Sequence, residues 1–480
     1  MTFSNEVESF IKDYVKKLHE GTASVFAGAG LSIPAGFVNW PDLLRDIAHE
    51  LGLNIDIETD LVSIAQYHVN ENGTRDRLSQ KIVDEFVEDT EETENHRILA
   101  RLPITSIWTT NYDSIIEDTF IKEGKVPDIK HSAKQLLTSR TKRDLVLYKM
   151  HGDALHSTDA ILTKEQYEKY HQTHEPFINA LTGELTTRTF LFLGFSFTDP
   201  NLDYVLSRLN IRFSQDKKQH YCITKKPTLG DKANPDQATY DYNLRKQALI
   251  INDLKRYGIK TLLVSDFSEI TDILGEIERR FKKRTVFISG SAEVYSPFER
   301  QEAIDFIHQL SKGLIESDLR VVNGFGWGVG SSVINGALEA IYSRPMKYSE
   351  SQLVLRPFPQ FQTGNTELKQ LWEDYRQKMI SLCGISIFIF GNKKQGDEIV
   401  EANGVIREFE ISHELGNICI PIAATEFAAK SIYERIMPQL DEYYPKPELA
   451  KKYLNILADD KIKLLDKVPK VIEFINRLSK

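Results

Sequence analysis

The sequence predicts an α/β protein made of two tandem doubly wound domains, each built on a parallel β-sheet, the first with a helical insertion. Short, almost wholly apolar runs alternate with segments of helical periodicity, which is typical of strands covered on both faces. Glycine and polar clusters follow these runs directly, at the sheet edge where such folds bind ligands. The 480 residues exceed one ordinary core, and a basic cluster near residue 280 precedes a second set of strands. We therefore expect domains at 1–283 and 284–480.

Elements of the first domain follow from its local patterns. Apolar residues recur at helical spacing from Val7 to Leu18, so a first helix capped by Ser4 is expected. The run Val25–Ala27 predicts a strand, and Pro41 suits the first turn of a later helix. Residues 60–102 predict several short helices, which form the insertion. Further strands are predicted at Ile104–Thr109, Leu145–Lys149, Phe190–Leu193, Gln219–Ile223 and Lys260–Val264.

The second domain repeats the alternation of strands and helices. After the charged segment Glu278–Arg284, a strand is predicted at Thr285–Ser289, with Gly290 and Ser291 in the loop that follows it. A helix is expected from about Pro297, and the tail from residue 427 is expected to be helical. The remaining strands are predicted at Leu319–Val322, Gln352–Arg356, Ile385–Phe390 and Ile418–Ile422.

Composition restricts the classes of function. A hydrophobic content of 41% and a charged content of 27% are those of a globular protein. The net charge of −9 gives no basic footprint for nucleic acid. No run of eighteen apolar residues and no apolar signal segment are present, so no membrane partner and a cytoplasmic location are expected. Cys222, Cys383 and Cys419 are widely spaced and form no CxxC pair, which favours buried thiols over a zinc site or disulfides.

The turn Gly28-Ala29-Gly30-Leu31-Ser32 closes the first strand. Glycine tolerates positive φ and has no Cβ, so this turn could bring bare backbone N–H groups close to a phosphate. Ordinary turn chemistry explains the same residues.

Polar residues after three other strands could complete a site. His151 could take a proton at neutral pH, although a core or capping histidine is the alternative. Asn111 and Asp113 could hold ribose hydroxyls, or could form an Asx turn that starts the next helix. Ser196 and Asn201 could contact ribose or phosphate, or could cap a helix.

The order of these motifs resembles that of the sirtuin family. GAGLS at 28–32, TTNYD at 109–113, HG at 151–152 and GFS at 194–196 are similar to the GAGIS, TQNID, HG and GTS signatures. The resemblance implies binding of NAD and cleavage of its nicotinamide–ribose bond. It implies that the first turn (Gly28, Ala29, Gly30 and Ser32) cradles the phosphates and ribose. It also implies that Asn111 and Asp113 position the nicotinamide ribose and that His151 is the general base. Ser196 would, by the same resemblance, lie against the adenine-side ribose or phosphates.

Departures from the sirtuin pattern change the expected reaction. Thr110 replaces the glutamine of the signature, and the proline-aspartate-phenylalanine-arginine stretch and the zinc-ribbon cysteines are missing. Water is then the expected acceptor, which favours hydrolysis of NAD to nicotinamide and ADP-ribose, with no zinc and no cofactor beyond the substrate. A sirtuin-type NAD-dependent protein deacylase and a non-catalytic nucleotide-binding protein remain the alternatives.

The second domain resembles the SLOG superfamily, which includes the LOG-type nucleotide phosphoribohydrolases. Gly290 with Ser291, and Gly324 with Gly326, are candidate phosphate loops. The arginine–lysine helix motif corresponds to Tyr375-Arg376-Gln377-Lys378, and the PGGxGTxxE loop survives only in part between residues 390 and 408. This decay favours a sensing pocket in which Arg376 and Lys393 meet phosphates and Glu408 bonds ribose hydroxyls. Surface ion pairs are the alternative, and Lys394 competes with Lys393.

A sirtuin-like domain followed by a SLOG domain resembles the effectors of Thoeris antiphage defence over essentially the whole chain. That family implies an NADase activated when its SLOG domain binds a cyclic ADP-ribose-type nucleotide, made by a TIR-domain partner protein. It also implies depletion of cellular NAD and a homotetramer.

Overall fold

A computed structural model describes residues 3–58, 60–87, 90–213, 216–361 and 367–478. They form two compact units, residues 1–278 and 279–480, and each unit contains a parallel sheet of its own. The predicted fold class is thereby confirmed. Among the helices in the described part of the chain, none is both long and apolar enough to cross a membrane.

Unit 1 is organised around a seven-stranded parallel sheet of order β3-β4-β2-β1-β5-β6-β7. The central strand β1 lies between β2 and β5, with Val25 opposite both Ile107 and Leu191. Chain connections run outward in opposite directions from β1 and β5, so the crevice for a ligand lies at the carboxyl ends of these strands. The strands are β1 Ala23–Ala27, β2 Ser106–Thr109, β3 Pro127–Lys130, β4 Leu145–Lys149, β5 Thr189–Leu193, β6 His220–Lys225 and β7 Ile259–Val264.

Helices cover both faces of this sheet. Ser4 caps α1 as predicted, and the Tyr14 hydroxyl of α1 donates to the Ser24 carbonyl at 2.9 Å, so α1 packs on the sheet of its own unit. The predicted insertion between β1 and β2 contains α4, α5 and α6. The helices are α1 Asn5–His19, α2 Ala29–Ser32, α3 Trp40–Glu50, α4 Leu61–Asn72, α5 Asp76–Phe86, α6 Glu94–Arg101, α7 Ile115–Lys122, α8 Lys164–Thr173, α9 Glu175–Thr187, α10 Pro200–Arg212, α11 Gln237–Lys255 and α12 Ser268–Lys282.

Unit 2 contains a five-stranded parallel sheet of order β10-β9-β8-β11-β14 and a separate antiparallel hairpin, β12–β13. The strands are β8 Thr285–Ser291, β9 Arg320–Asn323, β10 Leu353–Leu355, β11 Ile385–Phe390, β12 Asn392–Gln395, β13 Glu398–Glu401 and β14 Ile418–Pro421. The helices are α13 Arg300–Glu316, α14 Gly330–Ser343, α15 Leu368–Ile380, α16 Asn403–Glu414, α17 Phe427–Ile436, α18 Leu440–Tyr443, α19 Pro447–Ala458 and α20 Lys467–Leu478.

Two structural features are additional to those predicted, and the predicted end of β8 and start of α13 are wrong. Strand β3 was not predicted, because Pro127–Lys130 is an edge strand whose buried Asp128 and Lys130 form an ion pair and break the apolar pattern. The hairpin β12–β13 was also not predicted, since its residues are mostly exposed and polar. Strand β8 continues through Ser291 instead of ending at residue 289, because Gly290 and Ser291 pair with β11. Helix α13 begins at Arg300, three residues after the predicted start.

All three cysteines are buried and unpaired, which confirms the prediction of buried thiols.

Candidate functional site

The glycine turn after β1 lies against the loop after β5. The Gly28 amide donates to the Leu193 carbonyl and the Gly30 amide donates to the Gly194 carbonyl, both at 2.9 Å. A Cβ on Gly28 would lie 2.5 Å from the Gly194 oxygen, and a Cβ on Gly30 would lie 2.8 Å from the Gly194 Cα. The expectation that positive φ explains these glycines is wrong, because Gly28 has φ −109° and Gly30 has no positive φ either. Glycine is needed here because two backbones approach closely.

A phosphate cradle was expected to present bare backbone amides at this turn. The Gly28 and Gly30 amides are not bare, because each already donates to a carbonyl. The turn continues into α2, and Ser32 of α2 is buried. A ligand at this turn would therefore meet α2 and the Ser32 hydroxyl rather than free Gly28 and Gly30 amides.

Asn111 and Ser32, from two different motifs, are in direct contact. The Asn111 side-chain amide donates to the Ser32 hydroxyl at 3.0 Å, and both residues are buried. The backbone amide of Asn111 donates to the Thr109 hydroxyl at 3.0 Å, which fixes the turn after β2. The carboxyl ends of β1 and β2 thus present one continuous polar surface.

Asp113 fits both interpretations that the sequence left open. Its Oδ1 accepts the Ile115 amide at 3.3 Å, which is an Asx turn before α7. Its Oδ2 is buried and has no hydrogen-bond partner among the described residues. Burial raises the pKa of this carboxyl, although Lys149 and the Ser32 hydroxyl oppose the shift. A buried unpartnered carboxylate oxygen next to Asn111 is available to a hydroxyl-bearing ligand.

His151 is buried, with one ring nitrogen facing a carboxylate and the other a phenol. Its Nε2 lies 3.1 Å from Asp199 Oδ2, although the ring is turned so that the pair is not a well-aligned hydrogen bond. Its Nδ1 lies 3.3 Å from the Tyr167 hydroxyl of α8. Asp199 also caps α10, because its Oδ1 accepts the Leu202 amide at 2.9 Å.

A buried lysine joins the loop of Asn111 to the loop of His151. Lys149, the last residue of β4, is fully buried and donates to the carbonyls of Tyr112 at 3.2 Å and Asp113 at 2.7 Å. It also contacts Glu117 at 2.8 Å and Asp153 at 2.5 Å. The Ala154 amide adds a backbone hydrogen bond to the Tyr112 carbonyl at 3.0 Å. The positions of the two loops are therefore coupled through one ammonium group.

Ser196 differs from the other predicted residues. It is exposed in the loop between β5 and α10, and its hydroxyl shares a hydrogen bond with Thr198 at 2.8 Å. It lines a groove of about 390 Å³ together with Leu202, Leu249 and Tyr257. Asn201 is buried beside the cap of α10, and its side-chain nitrogen has no hydrogen-bond partner among the described residues.

In unit 2 the structure brings Arg376 of α15 together with Glu408 of α16. Arg376 Nε lies 3.7 Å from Glu408 Oε1 and is buried without a hydrogen-bond partner in the described residues. Its guanidinium lies over the Phe358 ring at 5.1 Å. The Ser289 hydroxyl donates to Glu408 Oε2 at 2.5 Å. Burial raises the pKa of Glu408, while Ser289 and Arg376 oppose the shift.

The four small residues predicted as phosphate loops lie close to one another. A Cβ on Gly326 would lie 2.0 Å from the Gly290 carbonyl oxygen, and a Cβ on Gly324 would meet the Phe358 ring at 2.8 Å. The Ser291 hydroxyl donates to the Asn392 carbonyl at 3.0 Å. Close packing thus accounts for these glycines, and it places the end of β8, with Gly290 and Ser291, beside the loop that follows β9.

Lys393 lies in the hairpin and not in a loop at the end of β11. It is exposed in β12 and faces Val400 in the register of the hairpin, and Lys394 is exposed beside it. Because successive side chains of a strand point to opposite faces, these two lysines cannot serve the same ligand in the same way.

Several residues at these sites carried no recognisable signal. Asp199 has the pattern of a helix cap, Tyr167 that of an ordinary helix residue and Phe358 that of a loop residue. Lys149 is an exception, because a lysine that ends a buried strand needs buried polar partners and could have been recognised from the sequence on that ground.

Family models match two parts of the chain. A SIR2-like domain matches residues 105–247, and a Sir2- and TIR-associating SLOG family matches residues 269–478. NAD(+) hydrolase ThsA from Bacillus cereus is 47% identical over 477 residues, which cover 98% of each chain. NAD(+) hydrolase ThsA from Acinetobacter baumannii is 44% identical, covering 98% of this chain and all of the relative. Defense-associated sirtuin 2 from Bacillus subtilis is 25% identical over 43% of this chain and 21% of its own length.

Proposed function

The chain belongs to the NAD(+) hydrolase ThsA family, and from that premise we propose that residues 1–283 form its NAD-cleaving domain and residues 284–480 its regulatory domain. The protein is an NAD⁺ hydrolase of bacterial antiphage defence, which splits NAD⁺ into nicotinamide and ADP-ribose. For this chain the supporting observation is the Ser32–Asn111 hydrogen bond, one strand away from the buried His151.

The substrate would lie across the carboxyl ends of β1, β2, β4 and β5. In this arrangement Asn111 and the free Oδ2 of Asp113 hold hydroxyls of the nicotinamide ribose. The turn of Gly28, Ala29, Gly30 and Ser32 lies against the phosphates and ribose, with the Ser32 hydroxyl as its polar contact because the Gly28 and Gly30 amides already have carbonyl partners. Ser196 contacts the adenine-side ribose or phosphates. Orientation matters most in this reaction, because nicotinamide leaves as a neutral base and needs no acid.

His151 would supply the one proton transfer that the reaction requires. Cleavage gives an oxocarbenium-like ribose, and a water oxygen must lose a proton as it bonds to the anomeric carbon. An imidazole can act as the base here, on the water or through a ribose hydroxyl. Burial of His151 excludes bulk water, so the base would be held in a fixed orientation.

The regulatory site would lie at the carboxyl edge of the unit 2 sheet. We assign it to Gly290, Ser291, Gly324, Gly326, Arg376, Lys393 and Glu408, with a cyclic ADP-ribose-type nucleotide as activator. Arg376 supports this assignment, because a buried guanidinium with an unpartnered Nε suits a phosphate. Glu408, held by Ser289, is suited to ribose hydroxyls. The partner would be a TIR-domain protein that makes the signal, and the active state a cytoplasmic homotetramer.

Release of nicotinamide from NAD⁺ tests the proposal. The full chain should cleave NAD⁺ faster with added cyclic ADP-ribose, while N111A and H151A should be inactive with or without it. N252A and H171A, which alter exposed helix residues of the same types, serve as controls and should behave as wild type. Full activity in H151A would refute the assigned base, and an unchanged rate with every cyclic ADP-ribose isomer would refute the regulation.

A further inference from the structure

The side chain of Asp199 contacts the catalytic histidine, although no motif marks it as functional. The two oxygens of this carboxylate have different partners. Oδ1 accepts the Leu202 amide at the start of α10, whereas Oδ2 lies 3.1 Å from His151 Nε2. A helix cap needs only one oxygen, and asparagine or serine would serve equally well.

We propose that Asp199 is a positioning residue for the reaction, whose Oδ2 lies beside the Nε2 edge of His151 and balances the positive charge that the ring gains on taking a proton. This inference rests on the role of His151 as base in the proposed function. A carboxylate beside Nε2 favours the tautomer that carries its proton on this nitrogen, which would leave the lone pair on Nδ1. In that tautomer Nδ1 is the atom that takes the proton.

The proton balance of the step is complete. The attacking water gives a proton to Nδ1 as its oxygen bonds to the anomeric carbon, and the electron pair of the glycosidic bond leaves with nicotinamide. The imidazolium formed is paired with Asp199 and later releases its proton to solvent. The Tyr167 hydroxyl lies 3.3 Å from Nδ1, so it would have to move aside for the attacking water to reach this nitrogen.

The surroundings of His151 are mostly aromatic, so the charge of the Asp199 carboxylate acts strongly on the ring. Tyr167 and Tyr170 of α8 present their rings edge-on at 5.2 and 6.3 Å, and His174 stacks on Tyr170 at 4.5 Å. Within the described part of the chain, Asp199 is the acid in ion-pair range of the ring. Burial raises the pKa of the Asp199 carboxyl, but His151 and the amides of α10 outweigh burial and lower it overall. The carboxylate therefore stays ionised where it faces the ring.

The variant D199N separates the charge from the helix cap. Asparagine keeps the side-chain oxygen that accepts the Leu202 amide, so the fold and the melting temperature should be preserved. The full chain with added cyclic ADP-ribose should show a kcat about 10²-fold lower in D199N, with KM unchanged. A lower kcat with unchanged KM distinguishes a charge lost from the reaction step from a lost substrate contact.

A readout independent of turnover is the ¹⁵N spectrum of the His151 ring, assigned by comparison with H151A, which shows which ring nitrogen carries the proton. Nε2 should carry it in wild type, and this preference should be reduced in D199N. D236N is the control, because it alters the exposed aspartate that caps α11, and it should leave both readouts unchanged.

The outcomes distinguish this inference from the proposed function. If D199N keeps wild-type kcat while H151A is inactive, Asp199 is only a helix cap and the inference is wrong. If H151A is itself fully active, the assigned base is wrong and the inference is refuted with it.

Discussion

The variant K149M removes the ammonium group that joins the loops of Asn111 and His151. In the native protein Lys149 Nζ is fully buried between Glu117 and Asp153, at 2.8 and 2.5 Å, and also donates to two backbone carbonyls. Methionine is of similar length and apolar, so the variant fills the space but leaves two buried carboxylates without a counter-charge.

The expected cost can be estimated from these contacts. Removing one partner of a buried ion pair costs about 3–5 kcal/mol, because the remaining charge stays buried. That is a large share of the roughly 5–15 kcal/mol that stabilises a native protein. Burial already raises the pKa of Glu117 to about 7, and Lys149 opposes that shift. Without Lys149 both carboxylates should bind protons more readily, so the loss of stability should be larger at pH 8 than at pH 6.

Hydrogen exchange followed by mass spectrometry measures this loss in unit 1 separately. In the slowest-exchanging amides of β2 and β4, exchange should be about 10²–10⁴-fold faster in K149M than in wild type, which corresponds to about 3–5 kcal/mol. K122M is the control, because it removes an exposed partner of Glu92 and should leave the exchange of these amides close to that of wild type. An acceleration below about tenfold in K149M would refute the reasoning, since it would mean that the buried carboxylates do not need the ammonium group.

Three further predictions concern other parts of the chain. R376A should lose activation by cyclic ADP-ribose while keeping the basal rate of NAD⁺ cleavage, and the exposed control R344A should be activated normally. Normal activation of R376A would show that Arg376 is not part of the sensing site. G30A should lose NADase activity because its Cβ would lie 2.8 Å from the Gly194 Cα, and an active G30A would show that the close approach is not required. The control G183A has open space around its Cβ in α9 and should be as active as wild type. Burial and the charge of Lys218 lower the pKa of His220 to about 3, so the stability that neutral His220 contributes is present above pH 6.5 and is lost as pH falls toward 3. Denaturant titrations of H220Q should show a weaker loss of stability over that range than those of wild type, and an equal loss would contradict this role of His220.

The sequence predicted most of the fold because the strands of both sheets are locally apolar. Strands β4 and β11 have the predicted bounds, since a mostly apolar run in a parallel sheet ends where the chain reaches the polar edge. Strand β3 and the hairpin β12–β13 lack this signal, because an edge strand and an exposed hairpin do not need two apolar faces.

The candidate site was predictable only where a residue belongs to a motif. Asn111 and Ser32 were predicted separately, and their hydrogen bond depends on β1 and β2 being neighbours, which a linear pattern does not state. Asp199 escaped notice because its cap role explains its local sequence completely. Its proposed role as a positioning residue depends on contact with His151, which is 48 positions earlier in the chain but lies next to Asp199 in the fold.

Identification of the products tests the central claim most directly. Purified protein incubated with NAD⁺ and a cyclic ADP-ribose should release nicotinamide and ADP-ribose in equal amounts, with no requirement for an acyl-lysine peptide, and N111A should release neither. Consumption of NAD⁺ only in the presence of such a peptide, with O-acyl-ADP-ribose as product, would contradict the account and identify a deacylase.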